Sequence, residues 1–120
     1  MTRALQVTPE ICAAVYDCLR AFEPFRNLRL PDSEAVEFHV KQRRDAYGEY
    51  VHTGVAHSLT ISASLIGSFD SLAQVVAHEM LHLAQAEHST QTSSQHNAAF
   101  RRLARSVCQK MVWDERAFIG

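Results

Sequence analysis

His78-Glu79-Met80-Leu81-His82 holds the residues of this chain best suited to chemistry. On a helix, positions i and i+4 share a face with their β-carbons about 5–6 Å apart, so both imidazoles can reach one metal ion at roughly 2.0–2.1 Å. Glu79 then flanks the ion as a candidate catalytic base. The chemistry this pattern serves is zinc-dependent hydrolysis, in which three protein ligands hold Zn²⁺ and a fourth position stays open. The competing reading is a pair of core histidines satisfied by ordinary hydrogen bonds.

The surrounding segment favours the metal. From Ser68 to His88 there is no Gly or Pro, and Ser68 or Asp70 can cap the start, which predicts one helix over about 70–87. Between Leu72 and Ala86 the only polar residues outside the motif are Gln74 and Gln85, so the helix is apolar nearly all round and belongs in the core. Ionisable groups buried there need a partner, and a metal supplies one.

A third ligand must come from downstream, and three residues compete for the role. His88 completes an H-E-x-x-H-x-x-G-x-x-H spacing except that Gln85 stands at the glycine, the residue that lets the chain turn sharply out of the helix. If the helix continues instead, His88 lies about 9 Å beyond His82 along the axis and cannot share its ion. Glu87 points to the opposite side of the helix from His78. His96 is the preferred candidate: the polar run Ser89–Ser94 can reverse the chain, and a second helix, Asn97 to Met111, begins immediately after it. That helix carries Phe100, Leu103, Val107 and Met111 as its apolar stripe, opposite Arg101, Arg102 and Arg105.

His78 to His82, a 13-residue spacer, and His96-Asn97-Ala98-Ala99-Phe100 together resemble the SprT-like metallopeptidases. In that family an H-E-x-x-H motif is followed by a histidine in an H-G-x-x-F-like segment at the start of the next helix. Arg43-Arg44-Asp45-Ala46-Tyr47-Gly48 and Leu59-Thr60-Ile61-Ser62 are similar to the family's hairpin and pre-helix strand, and the similarity spans roughly residues 8–112. Asn97 departs from the family's usual Gly, and Asn tolerates a positive φ better than most residues. The resemblance implies a zinc endopeptidase with His78, His82 and His96 on the metal and Glu79 as catalytic acid and base, acting on protein or peptide substrates, DNA-associated ones included. A further resemblance, to zincin peptidases in general, implies that a strand next to the metal binds extended peptide by strand addition, and the 58–64 strand is the candidate. Two rival readings stand beside this one. A non-catalytic zinc-stabilised DNA- or partner-binding module would put His88 and His96 both on the ion, and a metzincin-like peptidase would use His88 as its third ligand.

The 120 residues are 47% hydrophobic and 21% charged, which predicts a single domain over 1–120 with one core. No stretch approaches the ~20 apolar residues of a membrane-spanning helix, and the first seven residues are too short and polar for a secretory signal. A cytoplasmic protein without a membrane partner is expected. Cys12, Cys18 and Cys108 are an odd number without C-x-x-C spacing, which predicts free thiols. A net charge of −1 predicts weak or no direct nucleic-acid binding, although Lys41, Arg43 and Arg44 cluster at an expected hairpin tip. No feature of the sequence dictates an oligomeric state.

The remaining elements must position the motif. Thr8 and Pro9 open a helix whose apolar face is Ile11, Val15, Leu19 and Phe22, ending before Pro24. Val36, Phe38 and Val40 alternate with polar residues as a strand, to which Tyr47–Val51 can return antiparallel. Leu59, Ile61, Ala63 and Leu65 alternate with Ser58, Thr60, Ser62 and Ser64 as a third strand. His39, His52 and His57 lie on or between strands and are expected at the surface. The expected architecture is α+β: a small antiparallel sheet of about three strands on a central H-E-x-x-H helix, with an N-terminal and a C-terminal helix.

Overall fold

Thr8 accepts the Ile11 amide with its hydroxyl and Pro9 takes the first helical position, which fixes the start of α1, Pro9–Arg20. The computed structural model describes residues 5–90 and 94–120; Gln91, Thr92 and Ser93 of the polar loop lie outside the described residues. The buried face of α1 is Cys12, Val15, Tyr16 and Leu19, rotated from the expected one, because Phe22 falls beyond the helix and is 41% exposed.

Strands β1 (Val36–Lys41), β2 (Gly48–Thr53) and β3 (Ala56–Ser62) form one sheet in the order β1-β3-β2. The domain is α+β as expected, but the sheet is mixed, not wholly antiparallel: β1 runs parallel to β3 and β2 antiparallel to it. Tyr47–Val51 therefore does not return beside β1. The hairpin forms one connection later, where Gly54 at φ 60° and Val55 make a two-residue turn between β2 and β3. Residues 42–47 cross over the end of β3, held there by the Ser62 and Ser64 hydroxyls, which both donate to the Arg43 carbonyl. Arg43 is thus no hairpin tip, and its guanidinium donates twice to Asp45 and lies 3.4 Å from Glu49.

The most apolar strand takes the middle, as burial dictates. Leu59 and Ile61 are fully buried, and β3 is paired along both sides. That overturns the expectation that 58–64 receives a peptide, since a strand with both edges filled has no backbone groups to offer. The edge strand nearest the metal motif is β2.

Ser68 caps α2, Phe69–His88, by accepting the Ser71 amide, and the helix runs to Ser89 in the left-handed region at φ 55°. Asn97 caps α3, Ala98–Met111, and Asp114 caps a short α4, Glu115–Ile119, that the sequence reading did not anticipate. One cluster of buried apolar residues extends from Val7 to Phe118, with Leu72, Val76, Met80, Leu81 and Leu83 of α2 at its centre. All three cysteines are free, with Cys12 and Cys108 buried. Among the described residues no helix is long and apolar enough to cross a membrane.

Candidate metal centre

One nitrogen from each of His78, His82 and His96 lies within 4.8 Å of the other two, and these residues are the only group of three or more potential metal ligands among the described residues. Their rings stand 5.0 to 5.2 Å apart, centroid to centroid. Phe100, fully buried, packs against all three rings at 4.5 to 5.2 Å and forms a common wall behind them. The last residue of the His96–Phe100 segment thereby acquires a physical role: it holds the imidazoles in place through an apolar contact that does not compete for the ion.

His78 is held from its far side. Its Nδ1–H donates to the Phe118 carbonyl at 2.8 Å, which leaves Nε2 bare and ready to bind a cation. Phe118 sits on α4 and is itself stacked on Trp113, whose indole N–H donates to Asp70 at the start of α2. Sequence reasoning missed this support. The only signal for it was the Asp114 cap followed by an isolated Phe118, too short a pattern to establish periodicity.

His96 lies two residues before α3, which starts at Ala98 and not at Asn97 as expected, and its seat is built by neighbours. Asn97 Oδ1 accepts the Phe100 amide and, at 2.7 Å, the side-chain amide of Gln85, while Asn97 Nδ2 donates to the Thr90 carbonyl. Gln85 is 2% exposed. Asn97 has φ −73°, so its tolerance of positive φ is not used; it serves as a cap and a clasp. The same arrangement separates His88 from the site. Gln85 stays helical, the sharp turn waits until Ser89, and the exposed His88 donates from Nε2 to the Leu28 carbonyl. Glu87 lies 3.6 Å from His57, away from the three histidines.

Glu79 is buried beside this group at 6% exposure. Its neighbour is Gly48 at the start of β2, where any β-carbon would sit 2.9 Å from Val75 Cγ1 and 3.2 Å from Glu79 Oε2. The strand can approach the carboxylate this closely only because residue 48 lacks a side chain. Further along β2, the Tyr50 hydroxyl and His57 Nδ1 are hydrogen-bonded at 2.6 Å, and His57 is buried at 6% exposure, contrary to the surface position expected for it.

Burial sets the charge state of the centre. It depresses His82 to about 4, helped by His78 and His96, and lowers His78 and His96 as well. All three imidazoles are therefore neutral at pH 7, the form that binds metal. Burial pushes Glu79 the other way, from 4.5 to about 8, with Glu49 adding repulsion. In the metal-free protein the folded state thus holds a proton on Glu79 that the unfolded chain releases between those two values. The stability contributed by this group is present below the lower value and is lost as pH rises through the upper one. Gln at this position does not titrate. Metal-free Glu79→Gln should accordingly melt above metal-free wild type at a pH above about 8 and close to it at a pH near 5. Thermal unfolding at the two pH values checks this, and a gap that does not widen with pH would mean that Glu79 is not buried as a neutral acid.

The donor set suits a borderline-soft divalent cation. Tetrahedral zinc at about 2.0–2.1 Å from each nitrogen needs ligand atoms roughly 3.3 Å apart, and the three nitrogens here lie within 4.8 Å of one another. Among the described residues this group contains three potential ligands and no fourth. A buried H-E-x-x-H helix under a three-stranded mixed sheet, with a third histidine returned by the loop before α3, makes an α+β domain with a three-histidine group that could hold a metal. The family model for the SprT-like family matches residues 17–117, and the chain belongs to that family. The match begins later than the resemblance drawn from the motifs and ends at Ala117, inside α4 and one residue before Phe118, whose carbonyl supports His78. Comparison with individual curated proteins gives no match.

Proposed function

We propose that this protein is a zinc-dependent endopeptidase that hydrolyses peptide bonds of protein substrates, DNA-associated proteins among them. The observation that carries the reading is the convergence of His78, His82 and His96 beside the buried Glu79 in a chain of the SprT-like family. His78, His82 and His96 would hold the ion. Zinc, when bound there, supplies Lewis-acid chemistry, acidifying water and polarising a carbonyl.

The chain's own residues do the rest. The Phe118 carbonyl fixes the His78 tautomer, and the Gln85–Asn97 clasp fixes the seat of His96. Glu79 takes a proton from the attacking water on a carboxylate oxygen and returns it to the leaving amine. It must be ionised for the first step, and a cation on the neighbouring imidazoles favours that form against the burial that opposes it. The outer edge of β2, which starts at Gly48 beside Glu79, offers backbone groups for an extended peptide. The absence of a fourth ligand among the described residues favours this reading over a structural zinc module.

Zinc-loaded protein should cut an unstructured protein substrate, lose that activity to a chelator and regain it with added zinc. Metal content and fragment formation are measured together, with and without DNA. A protein that holds one zinc and cuts nothing in either condition would be a binding module.

A further inference from the structure

Two cavities open on either side of His78, Glu79 and His96, and they differ in what they can offer a bound chain. The larger, about 720 Å³, lies between Gly48 and Tyr47 at the start of β2, the first turns of α2, and α4. Its apolar walls are Leu65, Val75, Ala117, Phe118 and Ile119. Apart from Tyr47 and the residues of the candidate metal centre, its polar side chains are Asp45, Ser71 and Gln74, each with a partner. Asp45 receives two hydrogen bonds from Arg43, Ser71 Oγ accepts from Ser68, and Gln74 donates to Asp70. The lining is more apolar than that of the second cavity. The second cavity is lined by Glu49, Tyr50, His52, Gln85 and Gln95 and is polar.

Strand direction decides which side of a scissile bond meets which cavity. β2 runs from Gly48 to Thr53, and antiparallel addition is the stronger pairing. A peptide added that way passes His52 first and Gly48 last, so the residues after the cut face the larger cavity. We infer that this cavity is a specificity pocket for a large apolar side chain on the residue that follows the scissile bond, while the residues before the cut lie along a polar wall. The inference rests on the peptidase reading above.

The test maps the bonds cut in a mixed peptide library by zinc-loaded protein. Leu, Ile, Phe or Met should follow the cut at least about tenfold more often than Asp, Lys or Gly, the discrimination an apolar pocket supplies. Ala117 is exposed, and its backbone amide, not its side chain, is bonded to Asp114, so Ala117→Trp narrows the pocket without disturbing the core. This variant should shift the preference to Ala and Ser with zinc content and melting temperature unchanged. A binding arm is independent of turnover: labelled peptides with Leu at that position should bind Glu79→Gln protein about tenfold tighter than peptides with Asp, and Ala117→Trp should erase the difference. Cleavage without such a preference, a preference on the residue before the cut, or indifference to Ala117→Trp would overturn the pocket and leave the peptidase reading standing. A wild-type protein that cuts no peptide would remove both.

Discussion

Glu79→Gln should keep its metal and its fold and lose hydrolysis of an unstructured protein by roughly 10²–10⁴-fold, the usual cost of removing a general base. Glutamine is nearly isosteric, and Glu79 is buried at 6% exposure on the central helix, so a shorter residue would leave a hole where Gln does not. Glu79 also stands outside the three-histidine group, so replacing it removes no ligand. The comparison needs zinc content, melting temperature and cleavage rate on the same preparations. Equal rates for the two proteins would show that Glu79 handles no proton in the rate-determining chemistry.

His96→Ala should release the metal, whereas His88→Ala should retain it. Two imidazoles on one helix turn remain in the first variant, and loss of one of three ligands costs far more than the 10–100-fold in affinity typical of disturbing a ligand's supporting hydrogen bond. His88 is committed to the Leu28 carbonyl on the surface, so its removal leaves His78, His82 and His96 untouched. Competition titration with a chromogenic chelator measures both. Retention by His96→Ala together with loss by His88→Ala would return the chain to the metzincin-like arrangement.

The parts of this molecule legible in the sequence were those governed by local periodicity. Thr8 and Ser68 announced their helices by capping, and α2 and α3 appear within two residues of their expected bounds, because caps and apolar stripes act over a single turn. Strand order was not legible. Val36–Lys41 and Gly48–Thr53 look like hairpin partners when read in chain order, yet the more apolar β3 displaces one from the other, a choice made by competition for the sheet's centre. The site divided along the same line. His78, Glu79 and His82 sit on one helix face and show themselves by spacing, and His96 followed from the loop and helix beyond it. The Phe118 carbonyl could not, since a backbone oxygen forty positions away leaves no mark in side-chain pattern.

The Gln85–Asn97 contact binds two positions into one heritable unit. In related patterns each of these places is held by a glycine, which contributes backbone freedom and needs nothing from elsewhere. Here the two carry amides joined by a hydrogen bond with Gln85 at 2% exposure, so replacing Asn97 alone strands the buried Gln85 amide at a cost of about 1–3 kcal/mol. A lineage that carries this pair bears that cost on losing Asn97 unless Gln85 changes first or together with it. Chains with a buried glutamine at the first place should therefore keep the asparagine at the second.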